Sequence, residues 1–121
     1  KILLAEDNLT SQRLLRLILE GSGFEVTAVF NGKEAVGALE RENFDLVLMD
    51  CQMPEMDGYE ASHQIRRRGN PVPIIALTAN SGQEDLRRCL AAGMNDFLSK
   101  PFRQRELTGM IEKWIVPFSG A

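Results

Sequence analysis

A chain of 121 residues with 44% hydrophobic content has the size of one domain and enough apolar material for a single core without disulfide or metal staples. Its formal net charge of −3 and isoelectric point near 5.2 argue against general attraction to nucleic acid phosphates or to an anionic membrane surface, since both call for a basic face. Cys51 and Cys89 belong to no CxxC pair. They read as small apolar residues, with no disulfide framework or zinc site, and a reducing cytoplasm fits. No stretch approaches the roughly 18 apolar residues of a membrane span, and no signal peptide pattern is visible.

Apolar runs of strand length recur at Ile2 to Ala5, Phe24 to Val29, Leu46 to Met49, Ile74 to Leu77 and Phe97 to Leu98, which predicts five strands. Because Lys1 already opens on a strand, the 121 residues read as one domain taken from a longer chain. Helical segments alternate with the strands. Three of them open on capping chemistry, Asn31 with Glu34, Asp57 with Glu60 and Ser81 with Glu84, each a cap three residues before a carboxylate. In the last helix, Leu107, Met110, Ile111, Trp114 and Ile115 follow the i, i+3, i+4, i+7, i+8 stripe of a core-facing surface. Alternating strands and helices imply right-handed crossovers and a parallel sheet covered on both faces. The expected architecture is α/β, a doubly wound (βα)5 three-layer sandwich with five strands in the order 2-1-3-4-5. Ligands bind such sheets outside the carboxyl ends of the strands, where the strand order reverses, here between strands one and three.

The residues at those ends can be read directly. Strand one ends in Glu6-Asp7 and strand three in Asp50, so three carboxylates from distant positions meet at one crevice. Two carboxylates about 4 Å apart repel by about 1 kcal/mol in water and about 4 kcal/mol at an effective dielectric of 20, a cost that a divalent cation offsets. Magnesium, or manganese in its place, suits an all-oxygen site of one or two carboxylates, waters and a phosphate. Asp7 and Asp50 are assigned as direct ligands, Glu6 as a ligand through water, and the backbone carbonyl of Gln52 as a further oxygen. Taken singly, Asp7 or Asn8 could equally cap the first helix. Strand four finishes in Leu77-Thr78-Ala79 and strand five in Ser99-Lys100-Pro101, which adds a hydroxyl and an ammonium. Phosphoryl transfer needs positioning and charge stabilisation on the equatorial oxygens, and a metal, a lysine and a hydroxyl supply these together. Asp50 is the candidate nucleophile, because a carboxylate can form an acyl phosphate and strand three lies centrally. Asp57 competes as a carboxylate, but Asp57-Gly58 reads better as a turn and cap.

The segment Leu48-Met49-Asp50-Cys51-Gln52-Met53-Pro54-Glu55-Met56-Asp57-Gly58 resembles the phosphoacceptor segment of two-component response-regulator receiver domains. Ala5-Glu6-Asp7-Asn8, Ile75-Ala76-Leu77-Thr78-Ala79 and Lys100-Pro101-Phe102 extend the resemblance along the whole chain. It implies a flavodoxin-like, CheY-like fold and magnesium-dependent transfer of a phosphoryl group from a phosphohistidine to Asp50. The partner would be a histidine kinase or a histidine phosphotransfer domain. It also implies a switch in which Thr78 moves toward the phosphoryl group and Phe97 follows, a cis bond between Lys100 and Pro101, and two positions that influence phosphoryl lifetime, Gln52 and Asn80. A phosphorylation-linked dimer belongs to the same family expectations. The phrases Met-Asp-Cys-Gln-Met-Pro and Leu-Thr-Ala-Asn resemble receivers fused to hybrid histidine kinases, which implies a parent chain attached to the inner membrane. On this reading the domain catalyses only its own phosphorylation and dephosphorylation. A haloacid dehalogenase-type phosphohydrolase is the enzyme alternative, although its nucleophile sits in a DxD motif on strand one. A module that is never phosphorylated is the other.

The first helix carries Leu14, Leu15, Leu17, Ile18 and Leu19, an apolar arc of about 200°, wider than the roughly 100° that covers a sheet. One flank is therefore expected to dock the partner's helices, with Leu15 and Leu19 as the named contacts, complete burial of the arc being the alternative. His63 reads as a surface residue. Arg66-Arg67-Arg68 reads as basic residues complementing a helix C-terminus.

Overall fold

The computed structural model describes residues 1–53, 55–79 and 83–115. Five strands and five helices alternate: β1 Ile2–Ala5, α1 Leu9–Gly21, β2 Val26–Val29, α2 Gly32–Arg41, β3 Leu46–Asp50, α3 Gly58–Arg67, β4 Ile74–Thr78, α4 Gln83–Ala91, β5 Asp96–Ser99 and α5 Gln104–Trp114. The strands form one parallel sheet of order β2-β1-β3-β4-β5, as the alternation of elements predicted.

The sheet is buried on both faces because its strands are apolar at successive positions. Along β1, Ile2 and Leu4 pack with Leu15, Leu19, Leu107 and Ile111 of α1 and α5, whereas Leu3 and Ala5 pack with Ala35, Val36, Ala61, Ile65 and Cys89 of α2, α3 and α4. This is the period-two alternation of a strand read from two sides. The stripe of α5 is seated as expected, with Leu107 and Ile111 fully buried.

Capping chemistry sets the helix starts. Asn8, Asn31 and Asp57 each accept a hydrogen bond from the backbone N–H three residues on, at 3.0, 2.8 and 2.9 Å. The predicted Ser81 cap lies outside the described residues. Strand two begins at Val26 rather than at Phe24, and the reason is the end of α1. Gly23 takes a left-handed φ of +96°, its N–H donates to Glu20 O, and the Phe24 N–H donates to Leu19 O, both at 3.1 Å. This double bond pattern closes a helix on a glycine, and it uses up the residue that would have started the strand.

The wide apolar arc of α1 splits. Leu15 and Leu19 are 5% and 0% exposed, while Leu14 and Leu17 are 58% and 71% exposed. Leu15 and Leu19 are therefore core residues and not a docking surface; the free flank is Leu14 and Leu17, and Leu9 at the start of the same helix is exposed too. Among the described residues no helix is long and apolar enough to cross a membrane.

Candidate active site at the carboxyl edge of the sheet

Parallel pairing carries every strand to the same edge. Ala5 is level with Met49, Asp50 with Leu77, and Thr78 with Ser99, so the residues that follow β1 and close β3, β4 and β5 share one crevice. Carboxylate oxygens of Glu6, Asp7 and Asp50 all lie within 4.8 Å of one another. Glu6 and Asp50 are 1% and 9% exposed, and Asp7 is exposed. Lys100 reaches across the crevice and donates from Nζ to Glu6 Oε1 and to Asp50 Oδ2, both at 3.1 Å. The backbone N–H of Gln52 holds the other oxygen of Asp50, Oδ1, at 3.0 Å. Three carboxylates thus face one ammonium.

The imbalance shows in the protonation of Glu6. Burial first, then the hydrogen bond and charge of Asp50, push its carboxyl up to about 7, against the opposing pull of Lys100. Lys100 pays for burial too, but its hydrogen bonds to Asp50 and Glu6 outweigh that and hold its pKa above the ordinary lysine value. The donor set is all oxygen and carries two formal negative charges in excess. Such a set suits a hard divalent cation, so the residues present fit the metal that the sequence implies.

Other predicted positions fall as follows. Thr78 closes β4 and is buried, 5% exposed. Phe97, half-buried in β5, packs against the α2–α4 side of the core. The Lys100–Pro101 bond is cis. Asn80 lies outside the described residues. Asp57 is the cap of α3, as its sequence context indicated. Cys51 and Cys89 are free and buried, and burial pushes the Cys51 thiol up to about 12, which keeps it protonated. His63 is exposed.

Three features of the site surroundings were not read from the sequence. Gln12 of α1 is buried and donates through Nε2 to Glu6 O at 3.1 Å and to Val29 O at 3.0 Å, fixing the backbone from which Glu6 projects. Its signal is a polar residue on the buried stripe, three before Leu15 and seven before Leu19. Arg66 is no simple dipole partner: its guanidinium donates to Gly93 O, Asn70 O, Val72 O and Asn95 Oδ1, each at 2.8 Å, and so ties α3 to the turns that precede β4 and β5. Finally, a polar cleft of about 290 Å³ opens from Asp50 and Thr78 toward α4, where Tyr59, Asp85 and Arg88 line it.

Comparison with known proteins agrees with this geometry. Residues 2–112 match the response regulator receiver domain family. The chain is 44% identical over 127 residues to hybrid signal transduction histidine kinase B of Dictyostelium discoideum and 42% identical over 119 residues to sensor histidine kinase GacS of Pseudomonas protegens. It covers 93% and 94% of its own length in those alignments, but only 6% and 13% of theirs. Among solved structures, the receiver domain of a sensor histidine kinase from Pseudomonas aeruginosa PAO1, which has a magnesium ion coordinated in its active site cleft, superposes with a TM-score of 0.88 at 48% identity. That match covers 94% of this chain and 95% of the other. The dehalogenase alternative has no support in these matches. A receiver fold, an acidic crevice at its switch point and relatives among hybrid sensor kinases give one assignment: the chain belongs to the response regulator receiver domain family.

Proposed function

We propose that Asp50 is the phosphoacceptor of this receiver, taking a phosphoryl group from a phosphohistidine on a histidine kinase or a histidine phosphotransfer domain. One observation carries the reading: Asp50 is nearly buried beside Glu6 and Asp7, with one oxygen held by the Gln52 N–H and the other by Lys100. A carboxylate oriented from both sides needs no large rearrangement to attack phosphorus. As the Asp50 oxygen bonds to phosphorus, the donor's P–N bond breaks and the imidazole leaves with the electron pair. Lys100 then stands beside the oxygens that gain charge, and Thr78 supplies a hydroxyl from β4. Magnesium, or manganese, held by Asp7 and Asp50, by Glu6 through water and by the Gln52 carbonyl, would neutralise the negative charge that donor and acceptor bring together. The switch carried by Thr78 and Phe97 and the lifetime roles of Gln52 and Asn80 belong to the same proposal.

The partner's helices dock on the free flank of α1, Leu14 and Leu17, with Leu9 nearby. An apolar cleft of about 300 Å³ between α1 and the segment after β5, lined by Leu14, Ile18 and Phe102 together with Glu6 and Lys100, continues that flank toward the site. The domain works as a relay module rather than as an enzyme with an external substrate, and the kinship with GacS supports a hybrid sensor kinase as its parent, with the membrane anchor in that parent. Incubation with acetyl phosphate and magnesium tests the acceptor. The expected result is one phosphoryl adduct by intact mass, lost completely in Asp50→Asn; an adduct that survives this substitution, or no adduct on the wild-type chain, would sink the reading.

A further inference from the structure

The cleft on the α4 side of Asp50 contains a second cation that the acceptor chemistry described above does not use. Arg88 sits one turn into α4 from Asp85, and its guanidinium carbon lies 4.1 Å from the centroid of the Tyr59 ring. Tyr59, in the first turn of α3, is half-buried and packs against the core on the α2–α4 side of the sheet. The ring face on which Arg88 rests is therefore fixed between α3 and α4. Stacking of this kind holds a guanidinium in place while leaving its N–H groups free to donate. Among the described residues no carboxylate forms an ion pair with Arg88, although Asp57 and Asp85 line the same cleft.

Charge decides what such an arginine can serve. Asp50, Asp57 and Asp85 line the cleft together with Lys100 and Arg88, an excess of one negative charge. A phosphoryl group on Asp50 adds about one more, and Lys100 is already shared between Asp50 and Glu6. The planar fork of an arginine matches phosphoryl oxygens in pairs, which an ammonium does not.

We propose that Arg88 is a specificity-determining residue of the acceptor site: held on Tyr59, it is the cation on the α4 side that meets the phosphoryl oxygens on Asp50. The inference rests on the acceptor reading above. It gives α4 a direct charge link to the phosphorylated state, separate from the path through Thr78 and Phe97.

Beryllofluoride, a phosphoryl analogue that binds at a carboxylate, tests it in the 121-residue chain with saturating magnesium, by calorimetry. Arg88→Ala is expected to weaken beryllofluoride by about tenfold or more, the loss typical of a hydrogen bond to a charged group, while magnesium affinity without beryllofluoride and the melting temperature stay at the wild-type values. Arg88→Lys, which keeps the charge and loses the fork, falls between. Tyr59→Phe, which keeps the ring face, binds like wild type, whereas Tyr59→Leu moves toward Arg88→Ala. Equal beryllofluoride affinity in wild type and Arg88→Ala overturns the role of Arg88 and leaves the acceptor intact. A loss matched by an equal loss of magnesium affinity or of folding also overturns it, since Arg88 would then be structural. A wild-type chain that takes up no beryllofluoride overturns the acceptor reading and this inference with it.

Discussion

Asp96 and Glu6 are carboxylates at opposite edges of the same sheet, and they titrate in opposite directions. Asp96 opens β5. Although burial opposes it, Asp96 accepts hydrogen bonds from Trp114 Nε1 at 3.0 Å, from the Phe97 N–H at 2.9 Å and from Lys113 Nζ at 3.0 Å, and these hold its carboxyl below the usual range. Glu6 follows β1 at the other edge, and its carboxyl is held well above that range by burial and by Asp50. At the amino edge, charges close locally: Lys1 pairs with Glu42 and Asp45, and Arg66 satisfies four acceptors. At the carboxyl edge they are left in surplus. One edge of the sheet holds the fold together, and the other stores repulsion that a cation would relieve.

The largest expected break in that contrast is at Arg66. Arg66→Ala strands several part-buried oxygens and is expected to cost about 3 kcal/mol by urea denaturation, while the folded fraction still takes a phosphoryl group at Asp50. Loss of phosphoryl uptake with stability unchanged would show that the two edges are not separable. Next comes pH. The folded Glu6 carboxyl binds its proton more tightly than the unfolded one, so metal-free stability is greatest below about pH 4.5 for this group and declines as pH rises to about 7. The decline is on the order of 3 kcal/mol. Magnesium at 100 times its dissociation constant should return about 2.7 kcal/mol at neutral pH, flattening the profile. A metal-free melting temperature that does not fall over this window, or that ignores magnesium, would count against the stored repulsion.

Paired substitutions give a smaller and sharper test. At pH 8 without metal, Glu6→Gln should raise stability by about 1–2 kcal/mol as a repelled charge disappears, and Asp96→Asn should lower it by about 1–2 kcal/mol as charge-assisted bonds weaken; the same sign for both would refute the comparison. Smallest in stability are Leu14→Ser and Leu17→Ser, which should stay within about 0.5 kcal/mol of wild type because both side chains are already in solvent. Their effect belongs in the rate of transfer from a phosphohistidine domain, which should fall. An unchanged rate would clear α1 of a docking role.

Much of the carboxyl edge was legible because chemistry sat where hydrophobic runs stopped. Glu6, Asp50, Thr78 and Lys100 are each the first reactive residue at the end of a strand, and the strand order brings those ends together. The rest depended on facts that a linear pattern does not carry. On α1, five large apolar residues in six positions cover too much of the helix for periodicity to choose a side, so Leu15 and Leu19 could not be told from Leu14 and Leu17. Arg66 looked like its neighbours Arg67 and Arg68; only the packing of α3 against two turns distant in sequence selects it. Tyr59 and Arg88 lie 29 positions apart on different helices, and nothing in either segment announces the stack. Phe24 was misjudged because a glycine at position 23 closes a helix and an apolar residue after it resembles the start of a strand.

The contact at Gly58 has a further consequence. A methyl group there would collide with the carbonyl oxygen of Asp50 itself, and with the Met49 side chain at 2.9 Å, while the Gly58 N–H donates to Cys51 O at 3.2 Å. Main chain therefore rests on main chain directly behind the Asp50 carboxylate. The location of that carboxylate is therefore set in part by a backbone contact that leaves no room for a side chain at position 58. One added carbon at position 58 would displace Asp50 while leaving Glu6, Asp7, Thr78 and Lys100 untouched in the sequence.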